Sequence, residues 1–129
     1  MQYKIGNIND QKTVQGDNTF SSLLDKKGNN VLRDSYIVIS PEDTASGKLT
    51  VGFTAVYPGC STNGHEHSEY EEIYLVTKGQ GIAQIDEEEF EIKAGDIFYV
   101  PFGLFHKVTN PKNENLEYSW VLNKKKINK

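Results

Sequence analysis

Hydrophobic and polar positions alternate with a period of two in short runs, and Gly, Pro, Asn and Asp separate the runs. That period places successive side chains on opposite faces of an extended chain, the pattern of an antiparallel β protein. Helical spacing is weak throughout. Between Lys48 and Tyr57, residues Val51, Phe53, Ala55 and Tyr57 fall on one face and Gly52, Thr54 and Val56 on the other, until Pro58-Gly59 stops the strand. Further strands are predicted over 35–40, 72–77, 81–85, 89–92, 97–100, 105–109 and 116–122. The acidic group Asp86-Glu87-Glu88 lies between two alternating runs and is read as a hairpin turn rather than a metal-binding cluster. So many short strands predict an all-β sandwich or closed barrel, because closure removes the exposed edges that they would otherwise present.

The first thirty residues break this pattern. They are polar and rich in Asn, Asp and Lys, with Leu23-Leu24 as the main apolar pair, and Thr19 to Lys26 is predicted as a short helix. A length of 129 residues suits one domain with a real core. The expected organisation is therefore an N-terminal extension over 1–34 packing on the barrel, a β-barrel domain over 35–123, and a basic C-terminal tail over 124–129.

Charge narrows the partners. The formal net charge is −4, so no global basic field attracts phosphate backbones or anionic lipid. The basic cluster Lys124, Lys125, Lys126 and Lys129 contains no aromatic residue that could stack on a base, and it is read as a solvated end. Nucleic acid and membrane are accordingly not expected as partners. No segment reaches the ~20 apolar residues of a membrane helix, and the start lacks an apolar stretch of signal-peptide length, so a cytoplasmic protein is expected. Cys60 is the single cysteine, which rules out an internal disulfide.

The chemistry concentrates in two stretches. From Gly59 the chain carries His65-Glu66-His67 and then Glu72, ending at Gly79. Two histidines separated by one residue on an extended segment point to the same side, and a carboxylate from the paired neighbouring strand can complete one face of a coordination sphere. In the second stretch, Gly95 to Asn110, Pro101 and Gly103 build a sharp turn that directs His106 back toward the sheet interior.

These two stretches resemble the signatures of the cupin superfamily. The first signature is met at Gly59, His65, His67, Glu72 and Gly79, and the second at Gly95, Pro101, Gly103, His106 and Asn110. Fifteen residues separate Gly79 from Gly95, a short spacing of the kind seen in compact single-domain members. The resemblance implies a cupin jelly-roll β-barrel in which His65, His67, Glu72 and His106 ligate one metal ion. It also implies a homodimer, for which the segment Tyr36 to Ile39 is a candidate cross-subunit strand.

Neutral imidazoles with one carboxylate suit Fe(II), Mn(II), Ni(II), Zn(II) or Cu(II), and suit Ca(II) poorly. Four protein ligands on a six-coordinate ion leave two positions for water, dioxygen or a bidentate oxygen substrate. Spacing to Gly79 and parity with an inward Tyr74 favour Glu72 over its neighbour Glu71, and Glu66 and Glu69 are read as solvent-facing. Tyr74 is expected to enter the same cavity, as proton donor, base or substrate anchor, or more plainly as packed wall. Tyr57, Phe53 and Phe98 are expected to line the cavity or fill the core, and Cys60 is read as incidental.

Cupin fold and metal do not fix a reaction, since the superfamily spans isomerases, epimerases, dioxygenases, decarboxylases, lyases, storage proteins and sensors. The leading expectation is a small metal-dependent isomerase, epimerase or lyase acting on a sugar, hydroxy-carbonyl or carboxylate compound. An Fe(II)-dependent dioxygenase and a non-catalytic module that binds or senses a small molecule are the alternatives.

Overall fold

The computed structural model of the protein describes residues 3–10 and 33–125. The predicted helix over Thr19 to Lys26, most of the N-terminal extension and the tail beyond Lys125 lie outside the described residues. Eight strands form among the described residues: β1 (Arg33–Ile39), β2 (Leu49–Val56), β3 (Tyr70–Lys78), β4 (Gln80–Ile85), β5 (Glu88–Lys93), β6 (Ile97–Val100), β7 (His106–Thr109) and β8 (Leu116–Lys124). Each falls on a stretch predicted from alternation, with ends displaced by at most two residues. Two single-turn 3-10 helices, Ile8–Asp10 and Pro41–Asp43, complete the described elements.

The strands are arranged as two sheets rather than one closed ladder. A five-stranded sheet has the order β1-β2-β8-β3-β6, and a three-stranded sheet the order β5-β4-β7. Every pairing is antiparallel. Two sheets laid face to face in this order form a jelly-roll-like β-sandwich, so the all-β class holds while the predicted closure takes the form of stacked sheets. Their inner faces meet in a core of Val56, Cys60, Tyr74, Val76, Ala83, Ile92, Val100, Val108, Leu116 and Tyr118.

Alternation decides most of the faces correctly. On β3, Glu72, Tyr74 and Val76 are buried while Ile73 and Leu75 are exposed. On β2 the apolar set is not the inner one. Thr50, Gly52, Thr54 and Val56 are buried, whereas Val51 and Phe53 are only half-buried, and the Phe53 ring lies tilted beside Tyr36 of β1 with centroids 6.4 Å apart. Phe53 is thus on the outer face, neither core nor cavity wall. Tyr57 and Phe98 do pack against the core. Cys60 belongs to the core itself, its thiol 3.4 Å from the Pro58 carbonyl, away from the ligating groups.

The turns follow from backbone chemistry. Asp86 and Glu87 join β4 to β5 as a two-residue hairpin with Asp86 at φ 55°, a left-handed conformation that an aspartate tolerates better than most residues. Gly79 sits between β3 and β4 at φ 85°, where a Cβ would meet the Asn115 carbonyl oxygen at 2.3 Å. Only glycine fits that crossing. Residues 3–10 lie beside β1, with Gly6 against Val38.

Candidate metal centre

Asn110 sets the register of the site. It is fully buried; its Nδ2 donates to the carbonyls of Val56 (2.9 Å) and Glu114 (2.7 Å), and its Oδ1 accepts from Lys112 N. Its backbone exchanges hydrogen bonds with the 59–60 turn, donating to Cys60 O and accepting from Gly59 N. The side chain therefore ties the end of β2 to the β7–β8 connection, and the backbone of the same residue lays the segment after Gly59 along the free side of β7.

Along that side His65 and His106 are direct partners. Each backbone N–H donates to the other's carbonyl, at 3.0 and 2.9 Å, which makes a hydrogen-bonded antiparallel pair whose side chains share a face. Two residues on, the His67 carbonyl accepts the Gly103 N–H at 2.8 Å, so the Pro101–Gly103 turn fixes the second histidine as well as delivering the third. The carboxylate arrives from elsewhere. The strand paired with the His65–His67 segment is β7, while Glu72 lies on β3 of the five-stranded sheet, flanked by Val100 and Leu122. It therefore crosses from the facing sheet instead of completing the set from a neighbouring strand.

The four predicted residues converge. His65, His67, Glu72 and His106 each offer a ligand atom, and these atoms all lie within 4.8 Å of one another. Ring centroids are 4.3 Å apart for His65 and His67, and 4.4 Å for His65 and His106. Glu72 and His106 are buried, His65 and His67 half-buried. Among the described residues no second group of ligating side chains converges in this way. Glu71 points outward, accepting from Tyr99 Oη and Asn123 Nδ2 at 2.7 Å each. Glu66 and Glu69 are exposed.

The hydrogen bonds within the group suit a cation. His106 Nδ1 lies 3.0 Å from the Leu104 carbonyl, an acceptor, which places the proton on Nδ1 and leaves a lone pair on Nε2. Nε2 is buried 3.0 Å from Glu72 Oε1, yet the approach is too poorly directed to count as a hydrogen bond. A buried ring nitrogen without an aligned partner, beside a carboxylate and two further imidazoles, fits a divalent transition ion. Electrostatics favour the neutral, ligating forms of His65 and His67 but not of His106. Burial, reinforced by the neighbouring histidines and Arg33, pulls His65 down to about 3, and burial likewise lowers His67. Burial also pushes His106 down, but the Glu72 carboxylate and the Leu104 carbonyl outweigh it and leave that group raised.

Tyr74 donates to Glu72 Oε1 at 3.1 Å and stacks on Phe98 at 4.6 Å. Burial, then the charge of Glu72, raises its hydroxyl well above the ordinary phenol range. A phenol so raised keeps its proton, which favours donor over base among its predicted roles.

A cavity of about 190 Å³ opens beside the four groups. Its wall includes His65, His67, Glu72, Tyr74, Tyr118 and Arg33. The remainder includes Ser35 and Thr54, which hydrogen-bond to each other at 2.8 Å, and Trp120, whose Nε1 donates to Thr54 at 2.9 Å. Arg33 is the wall residue that the sequence patterns do not single out. Its signal there is faint, a cation two positions before a buried serine on the first strand. A larger recess of about 240 Å³ outside β4 and β5 is lined by Gln80, Glu91, Lys93, Asp96 and Lys112, without converging donors.

Comparison with known proteins agrees with this architecture. The cupin domain family matches residues 52–122. An uncharacterized protein of Methanocaldococcus jannaschii is 32% identical over 90 residues, covering 67% of this chain and 72% of that protein. An oxalate-binding protein of Thermotoga maritima is 34% identical over 65 residues, and the match spans 50% of this chain and 54% of the relative. The solved structure of a predicted oxalate decarboxylase from Thermotoga maritima aligns with a TM-score of 0.77 at 22% identity, covering 93% of this chain and 98% of that one. At that identity the likeness shows the fold.

Proposed function

The chain belongs to the cupin domain family, and from that premise we propose that it is a small metal-dependent enzyme of the isomerase, epimerase or lyase type, acting on a hydroxy-carbonyl or carboxylate compound. The observation that carries this reading is the buried His106 Nε2, without an aligned partner, among the donors of His65, His67 and Glu72. These four residues would hold one ion of Fe, Mn, Ni, Zn or Cu. Such an ion supplies Lewis-acid polarisation of a bound oxygen.

The chain's own groups do the rest. The cavity beside Glu72 admits a small molecule, and hydroxyls on Ser35, Thr54 and Tyr118 line its wall. Tyr74 holds the Glu72 carboxylate in place and carries a proton that its surroundings make hard to remove. In this reading Tyr74 is the catalytic residue as a hydrogen-bond donor, its single O–H turning from Glu72 Oε1 to a substrate oxygen when substrate is bound.

The test is elemental analysis of protein purified without chelators or an affinity metal, followed by assays on a panel of hydroxy-carbonyl and hydroxy-acid compounds with and without oxygen. One transition ion per chain and oxygen-independent turnover are expected. No ion, or an ion with no turnover on any compound, overturns the enzyme reading; oxygen uptake dependent on Fe(II) replaces it with a dioxygenase.

One observation favours a second reading. The similarity to a protein whose name records oxalate binding supports a module that holds a small ligand through the metal without converting it. Recovery of an unchanged ligand that raises thermal stability distinguishes that module from the enzyme.

A further inference from the structure

We propose that Arg33 is the residue that selects the ligand of this cavity, by pairing with a carboxylate at the far end of a small dianionic acid whose near end meets the four-residue centre. The inference rests on the metal-dependent reading above and adds to it the charge and shape of the ligand.

Two observations and a charge count converge on the guanidinium. The first is direction: β1 pairs with β2 through Arg33↔Val56 and Ser35↔Thr54, and Ser35, Thr54 and Val56 are all buried on the inner face. Arg33, two residues before Ser35, shares that face. It accordingly lines the same cavity as His65, His67 and Glu72. The second is an unmet need: Arg33 Nη1 is buried and has no hydrogen-bond partner. Among the described residues no carboxylate lies within ion-pair distance of it. A buried guanidinium donor without an acceptor is costly, and buried charges are ordinarily paired. The charge count completes the case. Among the lining residues Arg33 is the one guanidinium and Glu72 the one carboxylate, so a divalent ion held at the centre would leave an excess of two positive charges.

A dianion cancels that excess, and a carboxylate presents two oxygens in the geometry that a guanidinium fork accepts. The cavity of about 190 Å³ has room for a short-chain acid. The wall hydroxyls of Ser35 and Thr54 stand close to Arg33 on the paired strands and can accept or donate to the remaining oxygens of such an acid.

The test holds the metal-binding end of the ligand constant and varies the far end. Tartronate and lactate share an α-hydroxycarboxylate, but tartronate carries a second carboxylate where lactate has a methyl group. Calorimetry on metal-loaded wild-type protein is expected to give tartronate an advantage over lactate of at least tenfold. Arg33→Gln is expected to erase that advantage, leaving lactate affinity and metal content unchanged, and Arg33→Lys to keep part of it. Equal affinity of the wild type for the two acids overturns the proposal, as does an advantage that survives in Arg33→Gln. If Arg33→Gln does not fold, the wild-type comparison and Arg33→Lys decide between the two outcomes. Metal content measured on the same samples separates the failures: a wild type without an ion sinks the underlying metal reading, whereas a loaded wild type that ignores the second carboxylate sinks the role of Arg33 alone.

Discussion

His106 divides its two ring nitrogens between structure and chemistry. Nδ1 faces the Leu104 carbonyl, and Nε2 faces Glu72 without an aligned hydrogen bond. His106→Ala is therefore expected to remove metal uptake measured by elemental analysis, while circular dichroism retains the β signal. The backbone pairing with His65 does not depend on the imidazole. Tyr74→Phe isolates a subtler contribution. It deletes only the donor to Glu72 Oε1 and preserves the stack on Phe98. Partners that orient a metal ligand typically change affinity by about 10–100-fold when lost. Competition with a chromophoric chelator should register a decrease in that range for Tyr74→Phe, and an unchanged affinity would show that the hydrogen bond to Glu72 does not tune the ligand.

Strands place these side chains, and the strands are largely legible from alternation. Burial of Glu72, Tyr74 and Val76 on β3 follows the parity visible in the sequence, as does the choice of Glu72 over Glu71. Parity alone does not say which face looks inward. On β2, Val51, Phe53 and Ala55 make the more apolar face, yet the inner face is that of Thr50, Gly52 and Thr54. Hydrophobicity misleads there because the inner face of β2 carries small or hydroxylic residues, with Thr54 at the cavity, and the other face of the sheet is itself apolar. Arg33 escapes notice for the same reason: an inward cation has meaning only once the facing sheet is in place. The origin of Glu72 in the opposite sheet is equally hidden, since sequence order does not reveal which strands stack. Asn110 gives the element scale its own test. Asn110→Ala leaves the carbonyls of Val56 and Glu114 without their donor in a fully buried position. At about 1–3 kcal/mol for each unsatisfied buried group, the loss for two carbonyls should be roughly 2–6 kcal/mol in urea unfolding. The backbone pairing of residue 110 with Gly59 and Cys60 survives in alanine, so metal uptake by the folded fraction should persist.

At the scale of the molecule, the outer face of the five-stranded sheet bears on assembly. Cross-strand registers align Ile39, Val51, Val121, Ile73 and Tyr99 in one row across all five strands, and Tyr36, Phe53, Ser119, Leu75 and Ile97 in the next. Ile97 is 67% exposed and Ile73 45%. Contiguous apolar surface of this kind is uncommon on monomers and marks an interface. A two-fold dimer presents one such patch to itself, and the Glu71–Tyr99–Asn123 hydrogen bonds at its border supply a polar rim. The homodimer expected from family resemblance is thus better served by this face than by the edge at Tyr36 to Ile39, where residues 3–10 already lie alongside β1. Sedimentation velocity is expected to show a dimer for the full chain and a monomer for the double substitution Ile73→Asp, Ile97→Glu, with metal content unaltered because both side chains point away from the cavity. A wild type that sediments as a monomer at tens of micromolar would leave the row of apolar residues without this partner, and a substituted protein that stays dimeric would move the interface to another surface.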